Sequence, residues 1–576
     1  MVSAARWARN FFAKVGELTC AVAKLGWCLE SLDSGQRVRQ RRLVRVRLEV
    51  AKDHDALGAE EADASDVARL LDVAEDEVRE VRVIKRALDA RRRLPKPLVR
   101  LTVEAEVARQ PPESARRRLL DLPIARPRPD PPRAPRHAPP IAIVGGGPAG
   151  LFAAWLLAEK GAKVVLVERG KPVERRARDF GRFRGRGELD PESNLCFGEG
   201  GAGTYSDGKL TTRVKDPYVR EVFERFVSVG APGRILVDAK PHIGTNLLYR
   251  LLIRLRARLT ELGVDLRFET RFERLRMRDG RLDGIETSTG SIDAPRVILA
   301  MGHSARDTFA SLVESKVPVI AKPFAVGARI EHPQAQIDRI QYRCSPRPAT
   351  LPPADYSLTH QAGGRGVYSF CMCPGGMIVP TSAEPGSVVV NGMSTARRSS
   401  PFANGGLVVA VGPEDFRGLG HGSDVLAGVR FQRALESACF SAGGSSYFAP
   451  AMRAMDLVKG KSSGRLADSH FRPGLTATDL REVLPPLVLN PLREGLRAFE
   501  SIMRGYLSEE VNLIAVETKT SSPIQIPRDR DTFEVPGFRG LFVAGEGPGH
   551  AGGISSAAVD GLRVAEHLLG TLGEFA

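Results

Sequence analysis

The stretch at residues 141–169, IAIVGGGPAGLFAAWLLAEKGAKVVLVER, decides the fold. An apolar run at 141–144 predicts a strand, which leads through a glycine-rich turn into an apolar helix and a second predicted strand. Gly145 permits the tight turn, Gly147 lets the backbone approach a pyrophosphate, and Gly150 lets the helix pack on the sheet. Because a helix N-terminus favours anions, this unit predicts a Rossmann-like dinucleotide-binding domain.

An acidic residue completes the unit. Glu168 lies 21 residues after Gly147, at the end of the second predicted strand, where its carboxylate can accept hydrogen bonds from a ribose. We include its neighbour Arg169, and Ala149 in the turn, among the cofactor-binding candidates. The motif alone does not distinguish FAD from NAD.

The C-terminal segment favours FAD. A predicted strand at 541–544 ends in Gly545-Glu546, and GPGHAGGISSAAVDGLRVAEHL then predicts a glycine-rich turn and a helix. In two-dinucleotide-fold flavoproteins, a similar segment brings a carboxylate to the ribityl chain and points a helix N-terminus at the flavin pyrimidine ring. The resemblance makes Gly545, Glu546, Gly552, Gly553 and Ile554 cofactor-binding candidates. The alternative is an ordinary glycine turn between a strand and a helix.

Residues between these two ends predict that the FAD-binding domain is split. FETRFERLRMRDGRLDGIETSTGSIDAPRVILAMGHSA predicts a three-stranded meander, with turns at Asp279-Gly280 and Thr289-Gly290, and then a buried strand. That strand runs into a small-residue turn in which Gly302 is a further cofactor-binding candidate. The predicted fold class is therefore α/β, with a split Rossmann-like FAD-binding domain of the two-dinucleotide-fold type.

The remaining boundaries follow from composition. Residues 123–140, PIARPRPDPPRAPRHAPP, predict a linker because proline removes so many backbone donors. Alternating and helical patterns before it predict a small N-terminal α/β domain. Strands from Leu43 and Leu98 flank a helix predicted over EEADASDVARLLDVAEDEVREV, residues 60–81, with Ser65 as its N-cap. Residues 1–42 are basic and amphipathic, and three interpretations stay open: a non-native extension, a surface helix or an organelle-targeting segment. The predicted segments are 1–42, 43–122, 123–140, 141–305 (FAD-binding, first part), 306–525 (inserted α+β substrate domain) and 526–576 (FAD-binding, second part).

Charge and composition limit the class of protein. The chain has 84 Lys and Arg against 68 Asp and Glu, a net charge of +16, and residues 1–140 hold 29 of the basic and 21 of the acidic residues. Half of the excess therefore falls in the first quarter, which favours solvated charge over a polyanion site. No apolar run approaches the roughly 18 residues of a membrane span. Seven scattered Cys predict a reducing compartment, so a cytoplasmic location is expected unless the N-terminal segment directs the chain to an organelle.

Several further segments identify a resemblance to a family. They are NLCFGEGGAGTYSDGKL, KPHIGTNLL, GHSARDTF, VGARIEHPQAQID, VYSFCMCPGG, NGMS, VETKTSSPIQIPRD and AGEGPGHAGGISSAAVDG. They resemble the FAD-dependent dehydrogenase-like family of NAD(P)/FAD-dependent oxidoreductases, over about residues 43 to 570. The resemblance implies flavin chemistry but no particular substrate. Met301 stands where relatives of the wider flavoprotein class often carry Thr.

Candidates for chemistry are fewer. Gly201, Asp207 and Gly208 lie in a glycine-rich stretch suited to contact with the isoalloxazine ring, and an ordinary glycine loop is the alternative. Lys209 beside them, and the turn residues His242 and His550, are the candidate catalytic residues. The CxC pair, Cys371 and Cys373, is interpreted as buried thiols, with redox exchange as the alternative. No His, Cys and acid spacing predicts a metal site.

The sequence thus predicts an FAD-dependent oxidoreductase, a dehydrogenase or reductase, that transfers hydride between flavin N5 and an unidentified small molecule. We identify no second GxGxxG unit, so NAD(P)H would bind transiently, as an electron donor, or not at all. Two alternatives stay open: a flavoprotein acting on or bound to RNA, and a non-catalytic flavin-binding scaffold.

Overall fold

The computed structural model describes residues 44–53, 62–91, 94–120, 128–278 and 281–575. The predicted basic extension at 1–42, the first residues of the linker and the predicted turn at Asp279-Gly280 lie outside these residues. The described part of the linker, residues 128–140, contains neither helix nor strand. It runs along the next domain, where the Arg128 guanidinium lies 3.6 Å from the centre of the Tyr218 ring.

The N-terminal unit is a three-stranded antiparallel sheet covered by one helix. Its strands lie in the order Val44–Asp53, Leu98–Val107, Val78–Asp89, and helix Ala64–Leu71 packs its apolar face on them. The prediction that this helix continues through VREV was wrong, because the residues from Val78 onward form the edge strand Val78–Asp89 of the sheet.

The boundaries of this helix also differ from the prediction. Asp63, not Ser65, is the N-cap, because its carboxylate accepts a 2.9 Å hydrogen bond from the Asp66 amide. Ser65 lies in the first turn and donates its hydroxyl to Asp63. Asp72 ends the helix in a left-handed conformation, with φ of 55°. This reversal frees the following residues to form a strand.

The dinucleotide-binding domain contains a six-stranded sheet, which confirms the predicted α/β class. Five strands are parallel neighbours and the edge strand is antiparallel. In spatial order the strands are Glu534–Val535, Phe538–Val543, Arg296–Leu299, Ile141–Val144, Val164–Val167 and Asp265–Arg267. Phe538–Val543 comes from the far end of the chain and lies next to Arg296–Leu299, so two distant parts of the sequence build this sheet.

Helices and a small sheet flank these strands. The helices are Pro148–Glu159, Val173–Arg186, Tyr218–Ser228, Thr245–Glu261, Arg306–Glu314 and Ile554–Thr571. The meander Phe272–Arg278, Arg281–Thr287 and Gly290–Asp293 is antiparallel, as predicted. The apolar helix after the glycine turn and the C-terminal helix pack on each other in one buried core.

A second large sheet interrupts this domain in sequence. Its seven strands are, in spatial order, Thr359–Ala362, Arg365–Cys373, Phe402–Val411, Phe324–Pro333, Asn512–Glu517, Ala449–Arg453 and Leu475–Ala477. Two-stranded ribbons join Met377–Pro380 to Val390–Met393 and Ile320–Ala321 to Ile524–Gln525. Its helices are Gln334–Tyr342, Pro413–Gly418, Ala427–Ala442, Ala454–Lys459 and Pro486–Ile502. A separate apolar core lies between this sheet and its helices.

None of the helices within the described ranges is long and apolar enough to cross a membrane.

Candidate functional site

A cavity of about 420 Å³ opens where the parallel strands of the dinucleotide-binding sheet end. Val144, Val167 and Ala300, at the carboxyl ends of three neighbouring strands, contribute to its wall. In open α/β sheets, ligands bind at this edge. The inserted sheet and its ribbon form the opposite wall, which includes Phe370 and Asn391.

Most of the predicted cofactor residues meet in this cavity. Thirteen of the fifteen line it: Gly145, Gly147, Ala149, Glu168, Arg169, Gly201, Asp207, Gly208, Gly302, Glu546, Gly552, Gly553 and Ile554. Gly150 and Gly545 do not line it. A Cβ at Gly150 would lie 2.0 Å from the Gly145 carbonyl oxygen, and one at Gly545 would lie 2.9 Å from the Ala149 Cβ. These two glycines therefore allow close packing beneath the cavity floor.

The glycine turn leaves open space where a pyrophosphate would bind. Gly145 has a φ of 112°, and a Cβ there would lie 2.6 Å from the Ala300 carbonyl oxygen. A Cβ at Gly147 would meet nothing closer than the Gly201 Cα at 4.0 Å. Gly147 is also the N-cap of helix Pro148–Glu159, and no side chain caps that helix. Free amides at a helix start and open space at Gly147 fit a dinucleotide phosphate.

The Glu168 carboxylate is more occupied than the sequence predicts. Its Oε2 accepts a hydrogen bond from the Gly146 amide at 2.7 Å, and its Oε1 accepts from the Gly170 and Gly198 amides at 2.9 Å each. Each carboxylate oxygen can accept about two hydrogen bonds. Oε1 is therefore satisfied by the protein, and Oε2 keeps one position for a ribose hydroxyl. Glu168 both ties three loops together and faces the cavity.

Arg169 lies beside Glu168 in a network of ion pairs. Its guanidinium lies 2.8 Å from Glu192 and 2.9 Å from Asp307, and it stacks 4.1 Å from the centre of the Phe197 ring. Met301 lines the same end of the cavity and is 5% exposed. An apolar thioether therefore occupies the position where relatives of the wider class often carry Thr.

Asp207 forms the centre of a buried charge cluster. It is 1% exposed, pairs with Arg398 at 2.6 Å, and accepts a hydrogen bond from the Ser394 hydroxyl at 2.5 Å. Burial opposes its ionisation, but the charges of Lys209 and Arg398 hold the pKa of Asp207 at about 2. Neighbouring Gly208 has a φ of 70°, and a Cβ there would lie 2.6 Å from the Gly244 amide nitrogen.

The C-terminal segment contributes a carboxylate and a helix start. Burial raises the pKa of Glu546 to about 7, although Lys322 opposes the shift. Its side chain accepts no hydrogen bond from any described residue, so its oxygens are available to a ligand. Helix Ile554–Thr571 begins at the cavity wall, with Gly553 as N-cap and no side-chain cap. Its first amides and partial positive charge therefore face the cavity.

The three catalytic candidates separate. Lys209 lines the cavity, donates a hydrogen bond to the Met372 carbonyl and lies 3.6 Å from Asp207. His242 and His550 lie outside the lining. The pKa of His242 falls to about 4 through burial and the charge of Arg398, and His550 donates a 2.8 Å hydrogen bond to the Ile526 carbonyl. Lys209 is therefore the only one of the three with access to a ligand in this cavity.

A polar group joins the two walls of the cavity, and sequence reasoning identified only His303 in it, as one of several histidines in glycine- or proline-rich turns. His303 donates a 3.1 Å hydrogen bond to the Lys519 carbonyl, and the Lys519 ammonium donates to the Thr381 carbonyl at 3.1 Å. The Lys519 ammonium also lies 3.4 Å from the Cys196 sulfur. All four residues line the cavity. The segments GHSARDTF and VETKTSSPIQIPRD contain His303 and Lys519, but nothing in their spacing predicts this contact, because 216 residues separate the two.

A second GxGxxG spacing occurs at Gly198, Gly200 and Gly203, but it is not a second dinucleotide-binding unit. It passes from a loop into the short 3-10 helix Gly201–Tyr205, with no strand before it. A Cβ at Gly201 would lie 3.2 Å from the Gly147 Cα. The stretch therefore packs directly against the first glycine turn and helps to close the same cavity. The described residues also contain no cluster of His, Cys, Asp and Glu suited to a metal ion.

Comparison with known proteins agrees with this geometry. The family model "FAD-dependent protein, C-terminal domain-like" matches residues 323–520, and the model "NAD(P)-binding Rossmann-like domain" matches residues 143–178. An "Uncharacterized protein" of Clostridium beijerinckii is 43% identical over 431 residues, which are 74% of this chain and 80% of that protein.

Solved structures are more distant. Glycine oxidase from Geobacillus kaustophilus is 13% identical, with 76% of this chain and 95% of that chain covered and a TM-score of 0.30. A geranylgeranyl bacteriochlorophyll reductase-like protein from Thermoplasma acidophilum is 12% identical, with 76% and 79% covered and a TM-score of 0.33. These TM-scores carry no functional argument.

The fold and the family models define a Rossmann-type flavoprotein of the oxidoreductase class, with FAD as its cofactor. The chain belongs to the family of FAD-dependent, NAD(P)/FAD-type oxidoreductases that includes the Clostridium protein. The comparisons give no support to the RNA-bound or scaffold alternatives.

Proposed function

We propose that the protein transfers hydride between N5 of the flavin and a small molecule held in the cavity between its two sheets. The observation that carries this proposal is a single cavity with thirteen predicted cofactor residues on one side and the inserted sheet on the other. A ligand bound along the first wall leaves the second wall, with Phe370, Asn391 and Lys519, to contact a substrate. The segment boundaries drawn from the sequence form part of this proposal, except that helix Arg306–Glu314 packs with the dinucleotide-binding sheet and the substrate domain begins after it. A cytoplasmic location is also part of the proposal.

The geometry supports a distinct role for each cofactor residue. Gly147 and the start of helix Pro148–Glu159 would hold the pyrophosphate, and the free position on Glu168 Oε2 would accept a ribose hydroxyl. Glu546 would accept hydrogen bonds from the ribityl chain. The start of helix Ile554–Thr571 would face the pyrimidine ring. When bound, FAD supplies a two-electron acceptor.

Charged residues would complete the reaction site. Burial lowers the pKa of Lys209, but the nearby groups Cys373, Cys371 and Asp207 outweigh it, so the net shift is upward and the ammonium stays protonated. A fixed positive charge at this wall would stabilise negative charge that develops during hydride transfer. On the opposite wall, Phe370 and Thr381 line the cavity and would face a bound ligand.

NAD(P)H is proposed as a transient electron donor. This follows because one dinucleotide-binding unit is present in the described residues, and the same cavity serves FAD. A nicotinamide would have to enter from the substrate side, react and leave. Whether the protein is a dehydrogenase or a reductase depends on whether the substrate donates hydride to the flavin or accepts hydride from it.

An absorbance spectrum of the purified protein, followed by anaerobic titration with NADH and NADPH, tests the proposal. A reductase should show a flavin spectrum that one of the two nicotinamides bleaches rapidly and completely. A bound flavin that dithionite reduces, but that neither nicotinamide reduces, would remove the NAD(P)H proposal and favour a dehydrogenase. A folded protein with no bound flavin, even after incubation with FAD, would contradict the cavity assignment.

A further inference from the structure

The sequence leaves two interpretations of the CxC pair open, and the structure provides the geometry to choose between them. Cys371 lines the cavity, whereas Cys373 is 0% exposed behind it. Both are free thiols. An accessible thiol in front of a buried one is the arrangement of a nucleophilic and a resolving cysteine in thiol oxidoreductases.

A β-bulge brings the two residues together. The strand Arg365–Cys373 pairs Phe370 with Gly406 and Cys373 with Asn404, so three steps on one strand oppose two on the other. Cys371 sits at the irregularity with a φ of 41°. The extra residue bends the strand and redirects its side chains. The Cys373 thiol donates to the Cys371 carbonyl at 3.3 Å.

Two buried cations hold this bulge. Arg329, which is 0% exposed, donates to the Cys371 carbonyl at 2.6 Å and lies 3.6 Å from the Cys373 sulfur. The Lys209 ammonium donates to the Met372 carbonyl between them. These positive charges favour a thiolate over a thiol, although Arg329 also pairs with Glu517 at 2.8 Å and Lys209 lies 3.6 Å from Asp207.

The two sulfurs respond oppositely to this environment. Interaction with the neighbouring Cys373 thiol, helped by the charges of Lys209 and Arg329, holds the pKa of Cys371 well below its usual range despite burial. The same interaction and burial raise the pKa of Cys373 well above its usual range. The sulfur that faces the cavity therefore has the lower pKa of the two, which is the order needed for nucleophilic attack from the cavity.

We propose that Cys371 and Cys373 are a redox-active thiol pair that exchanges two electrons with the flavin and reacts with thiol or disulfide substrates entering the cavity. This inference rests on the proposed function, because it requires FAD in the same cavity. Cys371 and Glu546, on the cofactor wall, both line this cavity.

The reaction balances without a further reagent. In the oxidative direction, the Cys371 thiolate and the Cys373 thiol lose two electrons, their S–S bond forms, and the Cys373 proton is released. Oxidised FAD takes up the two electrons and one proton, which gives the anionic reduced form. The reverse reaction cleaves the S–S bond. A disulfide between residues two apart in sequence is strained and therefore easily reduced, so the pair turns over.

Anaerobic dithionite titration of the full-length holoprotein, after mild oxidation with diamide and desalting, tests the pair. The wild type should consume twice as much dithionite per flavin as Cys373→Ser or Cys371→Ser, because its disulfide takes two electrons in addition to those of the flavin. Cys439→Ser, which alters a buried thiol outside the cavity, is the matched control and should match the wild type. Peptide mapping should find the disulfide within residues 371–373.

A dithiol probe provides a second measurement. Under anaerobic conditions, dithiothreitol should reduce the flavin of the wild type at least tenfold faster than that of Cys373→Ser, with equal flavin content in both proteins. Equal dithionite consumption in all four proteins, or a disulfide that contains Cys196 instead, would overturn the inference while leaving the flavin assignment intact. Absence of flavin from the wild type would instead overturn the proposed function.

Discussion

Replacement of Glu168 by Ala should destabilise the protein before any cofactor binds. The sequence alone predicts only the loss of a ribose contact, worth about 1.5 to 3 kcal/mol of FAD binding free energy. The structure adds three buried amides, of Gly146, Gly170 and Gly198, that lose their acceptor. Each hydrogen bond to a charged group contributes about 1.5 to 3 kcal/mol, and water in the empty cavity replaces part of it. We therefore expect the free energy of unfolding of the apoprotein to fall by roughly 3 to 6 kcal/mol.

Urea unfolding of the apoproteins measures this loss. Glu546→Ala is the matched control, because it removes another carboxylate from the cavity wall that accepts no hydrogen bond from a described residue. Its unfolding free energy, measured at about pH 5 where the raised pKa of Glu546 costs little stability, should change by less than about 1 kcal/mol. Glu168→Gln, which keeps one acceptor oxygen, should fall between the two. If Glu168→Ala and Glu546→Ala unfold at the same urea concentration, the three amide contacts do not hold the loops together and the reasoning is refuted.

Three further predictions concern the other end of the cavity. Because the start of helix Ile554–Thr571 would stabilise negative charge at the flavin N1 and O2 atoms, the reduced flavin should be anionic near neutral pH and sulfite should form an N5 adduct. Gly553 has a φ of 95°, so any substitution there strains the backbone. Gly552→Val is the cleaner variant, because a Cβ at Gly552 would lie 3.8 Å from the Glu546 carboxylate. Titration followed by visible absorbance should show that this variant weakens sulfite binding before it weakens FAD binding. The pKa of Glu546 is about 7 in the folded protein against an ordinary 4.5, so between these pH values the folded apoprotein binds more protons than the unfolded chain. Its free energy of unfolding therefore falls as pH rises through this range. Glu546→Gln should abolish that fall, and parallel pH profiles of unfolding for the two proteins would contradict the prediction. Lys209→Met should slow flavin reduction by the active nicotinamide at least tenfold in stopped flow with unchanged FAD content, and an unchanged rate would remove Lys209 from the reaction site.

The first wall of the cavity was predictable because its signals are local. The strand, glycine turn and helix at residues 141–169 form one continuous unit, so spacing alone predicts the positions of Gly147 and Glu168. The C-terminal Glu546 follows a strand in the same way. Gly150 and Gly545 belong to the same motifs, but their roles are to let backbone and side chains pack closely.

The second wall depends on contacts between distant residues. Lys519 reaches His303 across 216 residues, and Cys371 faces the cavity because a bulge interrupts its strand. Hydrophobic periodicity carries no information about either contact. In the N-terminal unit, local sequence pattern predicts the wrong secondary structure. The stretch EDEVREV has the charge and apolar spacing of a helix, but the helix ends at Asp72 and strand Val78–Asp89 pairs with Leu98–Val107. Tertiary pairing overrides local propensity there.

The central claim is that FAD lies in this cavity, against Gly147. A Cβ at Gly147 has 4.0 Å of clearance and an ordinary backbone conformation, so Gly147→Val should fold while its side chain occupies the pyrophosphate position. Gly185→Ala, on an exposed helix position with open space around it, is the control. Flavin released from the purified proteins should be FAD, one per chain in the wild type and in Gly185→Ala, and absent from Gly147→Val. A folded Gly147→Val protein with full FAD content would contradict the account.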